Sequence, residues 1–132
     1  MPKPCPVVHF EMPYHDAFRA AEFYKSAFGW RSQMMGSEMG DYVLMETTET
    51  KNDRPIAAGA INGGLFPHKE DYPAQMPLVV IEVEDIEAAM DRVTQAGGRV
   101  YGSPAAVPGI GSYVAFVDCE GNNAAMLQPL AE

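Results

Sequence analysis

The chain is poor in several things that would each have announced a function. Among its 132 residues only 9 are basic against 18 acidic, which gives a net charge of -9. A partner gripped through its phosphates needs a basic surface, so nucleic acid is excluded first. Acidity mildly favours cationic ligands over anionic ones. No stretch approaches the about 18 continuous apolar residues of a membrane span, and the start MPKPCPVVHF has no long apolar core of a signal peptide. No membrane association is therefore expected, and the expected location is the cytoplasm. There are only two cysteines, Cys5 between prolines and Cys119 in Asp-Cys-Glu-Gly, with no CxxC pair and no zinc spacing. Free thiols suit a reducing compartment, and no base adjoins either one to make it a nucleophile.

What is present is a duplicated pattern. From Asp16, Ala17, Ala20, Ala21, Tyr24, Ala27 and Phe28 form one apolar helical stripe, with Asp16 placed as N-cap and Gly29 as stop. From Asp85, Ile86, Ala89, Met90 and Val93 repeat that spacing and Gly97-Gly98 end it. An offset of 69 takes Asp16 to Asp85, Ala20 to Ala89, Ala27 to Ala96 and Gly29 to Gly98. A shift of 71 pairs Gly40 and Tyr42-Val43 with Gly111 and Tyr113-Val114.

β-like runs surround both helices. They are Val7–Met12, Arg31–Met35, Tyr42–Thr47 and Ile56–Ile61 in the first half, and Leu78–Val83, Arg99–Tyr101, Tyr113–Val117 and Asn123–Leu127 in the second. Turn residues punctuate them, among them Gly36, Gly40, Glu49–Pro55, Pro108-Gly109 and the hairpin signal Asp118–Asn122. Each half therefore reads β-α-β-β-β. The expected fold class is α+β: one domain of two tandem βαβββ modules, about residues 7–65 and 78–128 joined by a linker at 66–77. Their mixed sheet is expected to curl into a cup with the helices on its outer face.

Alternation along Val7–Met12 sets Val8, Phe10 and Met12 on one face and Val7, His9 and Glu11 on the other. The all-apolar set belongs under the helix, so His9 and Glu11 should face the cup. Two residues apart on one strand, they are candidates for a hydrogen-bonded acid–base pair in which the carboxylate raises the imidazole pKa. An ion pair that satisfies two polar groups is the structural alternative. Glu82 shares the face of Leu78 and Val80 and is a candidate for a cationic ligand group or a solvated rim residue. Tyr42 and Tyr113, at matching places, are candidates to stack on a flat ligand or to pack as ordinary strand tyrosines. Four of nine methionines, Met34, Met35, Met39 and Met45, gather in the first module, which suits an adaptable pocket or core filling. Trp30 is expected in the core, and His15 and His68 are expected to be solvated.

The ordered set His9-Phe10-Glu11-Met12-Pro13, Asp16, Phe23-Tyr24, Phe28-Gly29-Trp30, Val83, Asp85, Gly97-Gly98, Pro108-Gly109-Ile110-Gly111 and Asp118–Asn122 resembles the vicinal oxygen chelate superfamily, the glyoxalase, bleomycin-resistance and extradiol-dioxygenase group. The resemblance runs from about Val7 to Gln128 and is strongest to the small glyoxalase-like branch. It implies paired βαβββ modules, a homodimer and a cup-shaped site. Metal-dependent members of the group take four His or Glu ligands from equivalent strands. Only His9 matches. The counterpart positions are Leu78, Ala125 and a place within Ile56–Ile61, a run with no His, Asp or Glu.

The leading expectation is thus a metal-independent, cofactor-free small-molecule binding protein of the glyoxalase/bleomycin-resistance type, with His9, Glu11, Tyr42, Glu82 and Tyr113 around the ligand. The alternative is a glyoxalase-like lyase or isomerase, or a dioxygenase-type enzyme, with His9 and Glu11 as catalytic residues or His9 as ligand of a divalent metal. A degenerate module whose role is to dimerise or bind protein is the third reading.

Overall fold

A computed structural model describes residues 3–131, which separate into two units. The first unit is His9–Pro77; the second begins at Leu78 and includes the N-terminal segment up to Val8.

The first unit holds most of strand β1 (Val7–Tyr14), helix α1 (Ala17–Phe28), β2 (Arg31–Met34), a 3-10 turn at Ser37–Met39, β3 (Val43–Glu46), the short pair β4 (Thr50–Lys51) and β5 (Arg54–Pro55), and β6 (Asn62–Pro67). Its strands lie in the order β2-β3-β6-β1, with β1 and β6 parallel and the other neighbours antiparallel. The helix starts where the sequence places it. The Asp16 carboxylate accepts the Arg19 N–H at 3.0 Å, and Gly29 ends the helix at φ 73°, a left-handed turn that glycine takes without a Cβ clash. The helix-side core is Val43, Met45 and Leu65, each no more than 1% exposed, against Met12, Tyr14, Ala17, Ala20 and Tyr24. Trp30 closes this core, stacked on Tyr24 with ring centres 4.7 Å apart.

The second unit repeats the topology. It holds β7 (Leu78–Glu82), α2 (Ile86–Gln95), β8 (Arg99–Val100), β9 (Ala105–Val107), β10 (Gly111–Val117) and β11 (Asn123–Pro129). The order is β7-β11-β10-β8, with β7 and β11 parallel and β9 on the edge of β10. Asp85 caps α2 through the Ala88 N–H at 3.1 Å, with the same backbone angles as Asp16 to within a degree. Gly97 and Gly98 close it by donating to Thr94 and Val93 carbonyls, and Val83, Ile86, Ala89, Val114 and Met126 form the core beneath it. In the β10–β11 hairpin the Asp118 carboxylate accepts N–H groups of Asn122 and Glu120, which hold its pKa below the ordinary value.

Two expectations are corrected. The run Ile56–Ile61 is not a strand but bends and a turn; the closing strand of the first unit is β6, six residues later. Strand propensity favoured the isoleucines over the Asn-Gly-Gly start of β6, but pairing with β1 decides the matter. β6 runs on through Phe66 to Pro67. The polar stretch Glu49–Pro55 is not only a breaker: it carries the β4–β5 hairpin, with Asn52 and Asp53, at φ 54° and 61°, as its two-residue turn.

Candidate functional site

In the first unit, strand register sets the composition of the sheet face turned away from α1. β1 contributes His9, Glu11 and Pro13, β6 contributes Asn62, Gly64 and Phe66, and β3 contributes Leu44 and Glu46, with Glu11, Gly64 and Leu44 in one row. Phe10, Met12 and Tyr14 take the helix side, as the alternation predicts.

Two adjacent glycines shape both faces. A Cβ on Gly63 would overlap the Phe10 ring on the helix side, and a Cβ on Gly64 would overlap the Tyr42 ring on the other. Tyr42 therefore lies flat across the β6 backbone and reaches β1, where its hydroxyl meets His9 Nε2 at 2.9 Å. The two rings are 19° from parallel with centres 6.5 Å apart. A path from ring centre through Nε2 and the hydroxyl oxygen to the other centre is about 6.8 Å long for such a hydrogen bond. The rings therefore lie end to end, nearly in one plane. They form a flat two-ring shelf resting on Gly64.

Burial pushes the His9 pKa down from 6.5 to about 4. This reverses the expectation that Glu11 would raise it: desolvation of the imidazolium is the governing cause. His9 is thus neutral at physiological pH, a hydrogen-bonding ring and not a charged acid. Glu11 is 9% exposed, the buried carboxylate of this face. Farther along, Arg31 and Glu46 pair at 3.1 Å in solvent.

Glu82 and Tyr113 sit in the second unit, in register on either side of Leu127, on the face opposite α2. Both are half-buried, and the same face carries Leu78, Val80 and Ala125 at 6%, 2% and 0% exposure. That face is apolar around its glutamate.

A four-ligand metal set does not assemble from these residues. Leu78 and Ala125 offer no donor atom in their side chains. On β6 the face positions are Asn62, Gly64 and Phe66, and the Asn62 side chain is engaged with the Thr47 N–H and the Thr50 hydroxyl, each at 2.9 Å. Among the described residues no three His, Cys, Asp or Glu side chains converge. The sequence reading missed Gly64 and Asn62, since both were assigned outside any strand; the adjacent glycines were the available signal of close backbone approach.

A family model described as bleomycin resistance protein-like N-terminal matches residues 7–48, the segment that contains His9, Glu11 and Tyr42. A glyoxylase-like domain-containing protein of Didymella fabae is 28% identical over 117 residues, 88% of each chain. Among solved structures, a Streptomyces coelicolor methylmalonyl-CoA epimerase in complex with 2-nitronate-propionyl-CoA superposes with TM-score 0.64 at 19% identity, over 95% of this chain and 97% of that one. A hypothetical protein from Bacillus halodurans C-125 gives TM-score 0.68 at 12% identity, over 98% of each. The fold is that of the vicinal oxygen chelate superfamily. The βαβββ topology recurs in both units, while the side chains on the faces opposite the helices differ sharply between them.

Proposed function

We propose that this protein binds a small, planar, cationic organic molecule by stacking it on the His9–Tyr42 shelf, without a metal. The shelf is the observation that carries the reading. Two nearly coplanar rings present π-surface to a flat ligand, and a neutral imidazole adds no repulsion to a cation. Glu11 on the same face supplies the complementary charge, and the net charge of -9 raises the local concentration of cations. The bleomycin-resistance-like match over residues 7–48 supports a sequestering role. The test is a thermal-shift panel of planar cations, matched neutral analogues and matched anions. The planar cations should raise the melting temperature most, and His9→Leu or Tyr42→Phe should reduce the effect. A panel in which no cation stabilises the protein, or in which anions stabilise it equally, overturns the reading.

A second reading, an isomerase working by proton transfer, is favoured by the buried Glu11 carboxylate and by the fold shared with methylmalonyl-CoA epimerases. Here Glu11 would take a proton from a carbon next to a carbonyl, the Tyr42–His9 pair would hold the enolate oxygen, and a solvent-exchanged proton would return to the opposite face of that carbon. Deuterium entering methylmalonyl-CoA or a simpler thioester in D2O at a Glu11-dependent rate would establish it. The acidic chain argues against a polyanionic CoA ligand, which ranks this reading below the first. We also place the protein in the cytoplasm, where the exposed Cys5 and Cys119 remain reduced, and as a homodimer; native mass spectrometry at a single chain mass would refute the dimer. No helix among the described residues is long and apolar enough to cross a membrane.

A further inference from the structure

Away from the shelf, two histidines that the sequence gives no reason to pair come together. His15 follows the last residue of β1 and His68 the last residue of β6. These strands are parallel neighbours with Tyr14 beside Pro67, and the His68 N–H donates to the Tyr14 carbonyl at 2.8 Å, so the ladder continues into the pair. Strand neighbours are about 4.8 Å apart. The two imidazole centres lie 4.6 Å apart with the rings inclined at 35°.

Both backbones are pinned just beyond the pair. Asp16, next to His15, is fixed as the cap of α1. Lys69, next to His68, donates its N–H to the Gln75 side chain at 2.7 Å, and its ammonium lies over the Tyr72 ring at 5.2 Å. The side-chain nitrogens of His15 and His68 have no hydrogen-bond partner among the described residues, while His15 is exposed and His68 half-buried. Two accessible imidazoles are held in contact with their nitrogens uncommitted.

We propose that His15 and His68 together bind a first-row divalent cation, Cu2+ most tightly, as a two-imidazole chelate. With metal–nitrogen bonds of about 2.0–2.1 Å and bond angles of roughly 90–110°, two imidazoles on one ion have centres roughly 4.5–5.2 Å apart. The observed 4.6 Å falls at the near-square end of that range, which suits Cu2+, and Cu2+ also heads the affinity order for nitrogen ligands. Among the described residues no third His, Cys, Asp or Glu converges on the pair, and water would complete the coordination. The acidic chain favours cations over anions at any such surface site. This site is separate from the shelf and does not depend on what the shelf binds.

The experiment is Cu2+ titration of the full chain, followed by calorimetry and electron paramagnetic resonance, in a Cys5→Ser, Cys119→Ser background that removes the thiols as competing ligands. One Cu2+ per chain with a two-nitrogen tetragonal spectrum is expected. His15→Ala or His68→Ala should each weaken binding roughly tenfold or more, and the double variant should lose little beyond either one, because a chelate fails when one arm is removed. His68→Asn, with its helical dichroism checked, guards against a folding defect at the half-buried position. His9→Gln should leave the affinity within about twofold. Absence of stoichiometric binding, a two-nitrogen spectrum surviving in the double variant, single variants that bind like the parent, or a large loss in His9→Gln would each overturn the site.

Discussion

The two units are built on one plan and differ in what they present. Each sets its first strand parallel to its last, caps its helix with an aspartate and packs that helix on one sheet face. By register, His9, Glu11 and Gly64 of the first unit correspond to Leu78, Val80 and Ala125 of the second, and Tyr42 corresponds to Tyr113. At these three positions histidine, glutamate and glycine give way to leucine, valine and alanine, while Pro13 gives way to Glu82. The change at Gly64 is the least conspicuous and has the widest consequence. Lacking a Cβ, Gly64 lets Tyr42 lie across β6 and reach His9, whereas Ala125 puts a methyl group in the corresponding place. A shared scaffold fixes where side chains start; a single methyl decides where an aromatic ring can go.

The largest expected effect is on pH dependence. Unfolded, His9 takes up its proton near its ordinary 6.5; folded, only near 4. Between those values the unfolded chain binds more protons, so the stability contributed by neutral His9 is present above about pH 6.5 and is lost as the pH falls toward 4. The loss is on the order of 3 kcal/mol at most. Denaturant melts at pH 7 and 5 should show this slope in the parent and a shallower one in His9→Gln; equal slopes would mean that burial does not hold the imidazole neutral.

Making the first unit resemble the second at its least conspicuous position comes next. Gly64→Ala should destabilise by about 1–3 kcal/mol, because the new methyl meets the Tyr42 ring, and it should break the Tyr42–His9 hydrogen bond. Urea unfolding gives the first effect and the Tyr42 hydroxyl or His9 ring NMR signals the second. A neutral substitution would show that the ring has room to leave.

Caps test what the units share. Asp16→Ala and Asp85→Ala should each cost about 1 kcal/mol, equal within error, as both carboxylates accept the same third-position N–H. Unequal losses would reveal a difference in the helices that their geometry does not show. A comparable figure is expected for the coupling between His9 and Tyr42, about 0.5–1.5 kcal/mol in a His9→Leu, Tyr42→Phe cycle. The smallest belongs to Arg31→Gln. Its pair with Glu46 is solvated, with side chains 69% and 42% exposed, so the loss should stay below about 0.5 kcal/mol.

Much of this was legible from residue order. Period and capping residues located both helices, and the alternation of Val8, Phe10 and Met12 against His9 and Glu11 assigned the faces of β1 correctly, because a half-buried strand sorts its side chains by polarity. The strand β6 was not legible. Asn62-Gly63-Gly64 looks like a turn in isolation, and Ile56 and Ile61 look like strand, since local propensity carries no information about a partner strand. The sign of the His9 shift was missed for a related reason. A neighbouring carboxylate can be read from spacing, but the degree of desolvation depends on everything packed around the ring.

The repeated β-α-β-β-β order, the two aspartate caps and the residues of β1 that turn away from the helix follow from spacing and from contacts between near neighbours in the chain. That Tyr42 joins His9 across Gly64, that His9 is neutral and that His15 meets His68 emerge only on folding. Each of these joins residues at least 33 positions apart or depends on burial, and strand pairing and packing set both.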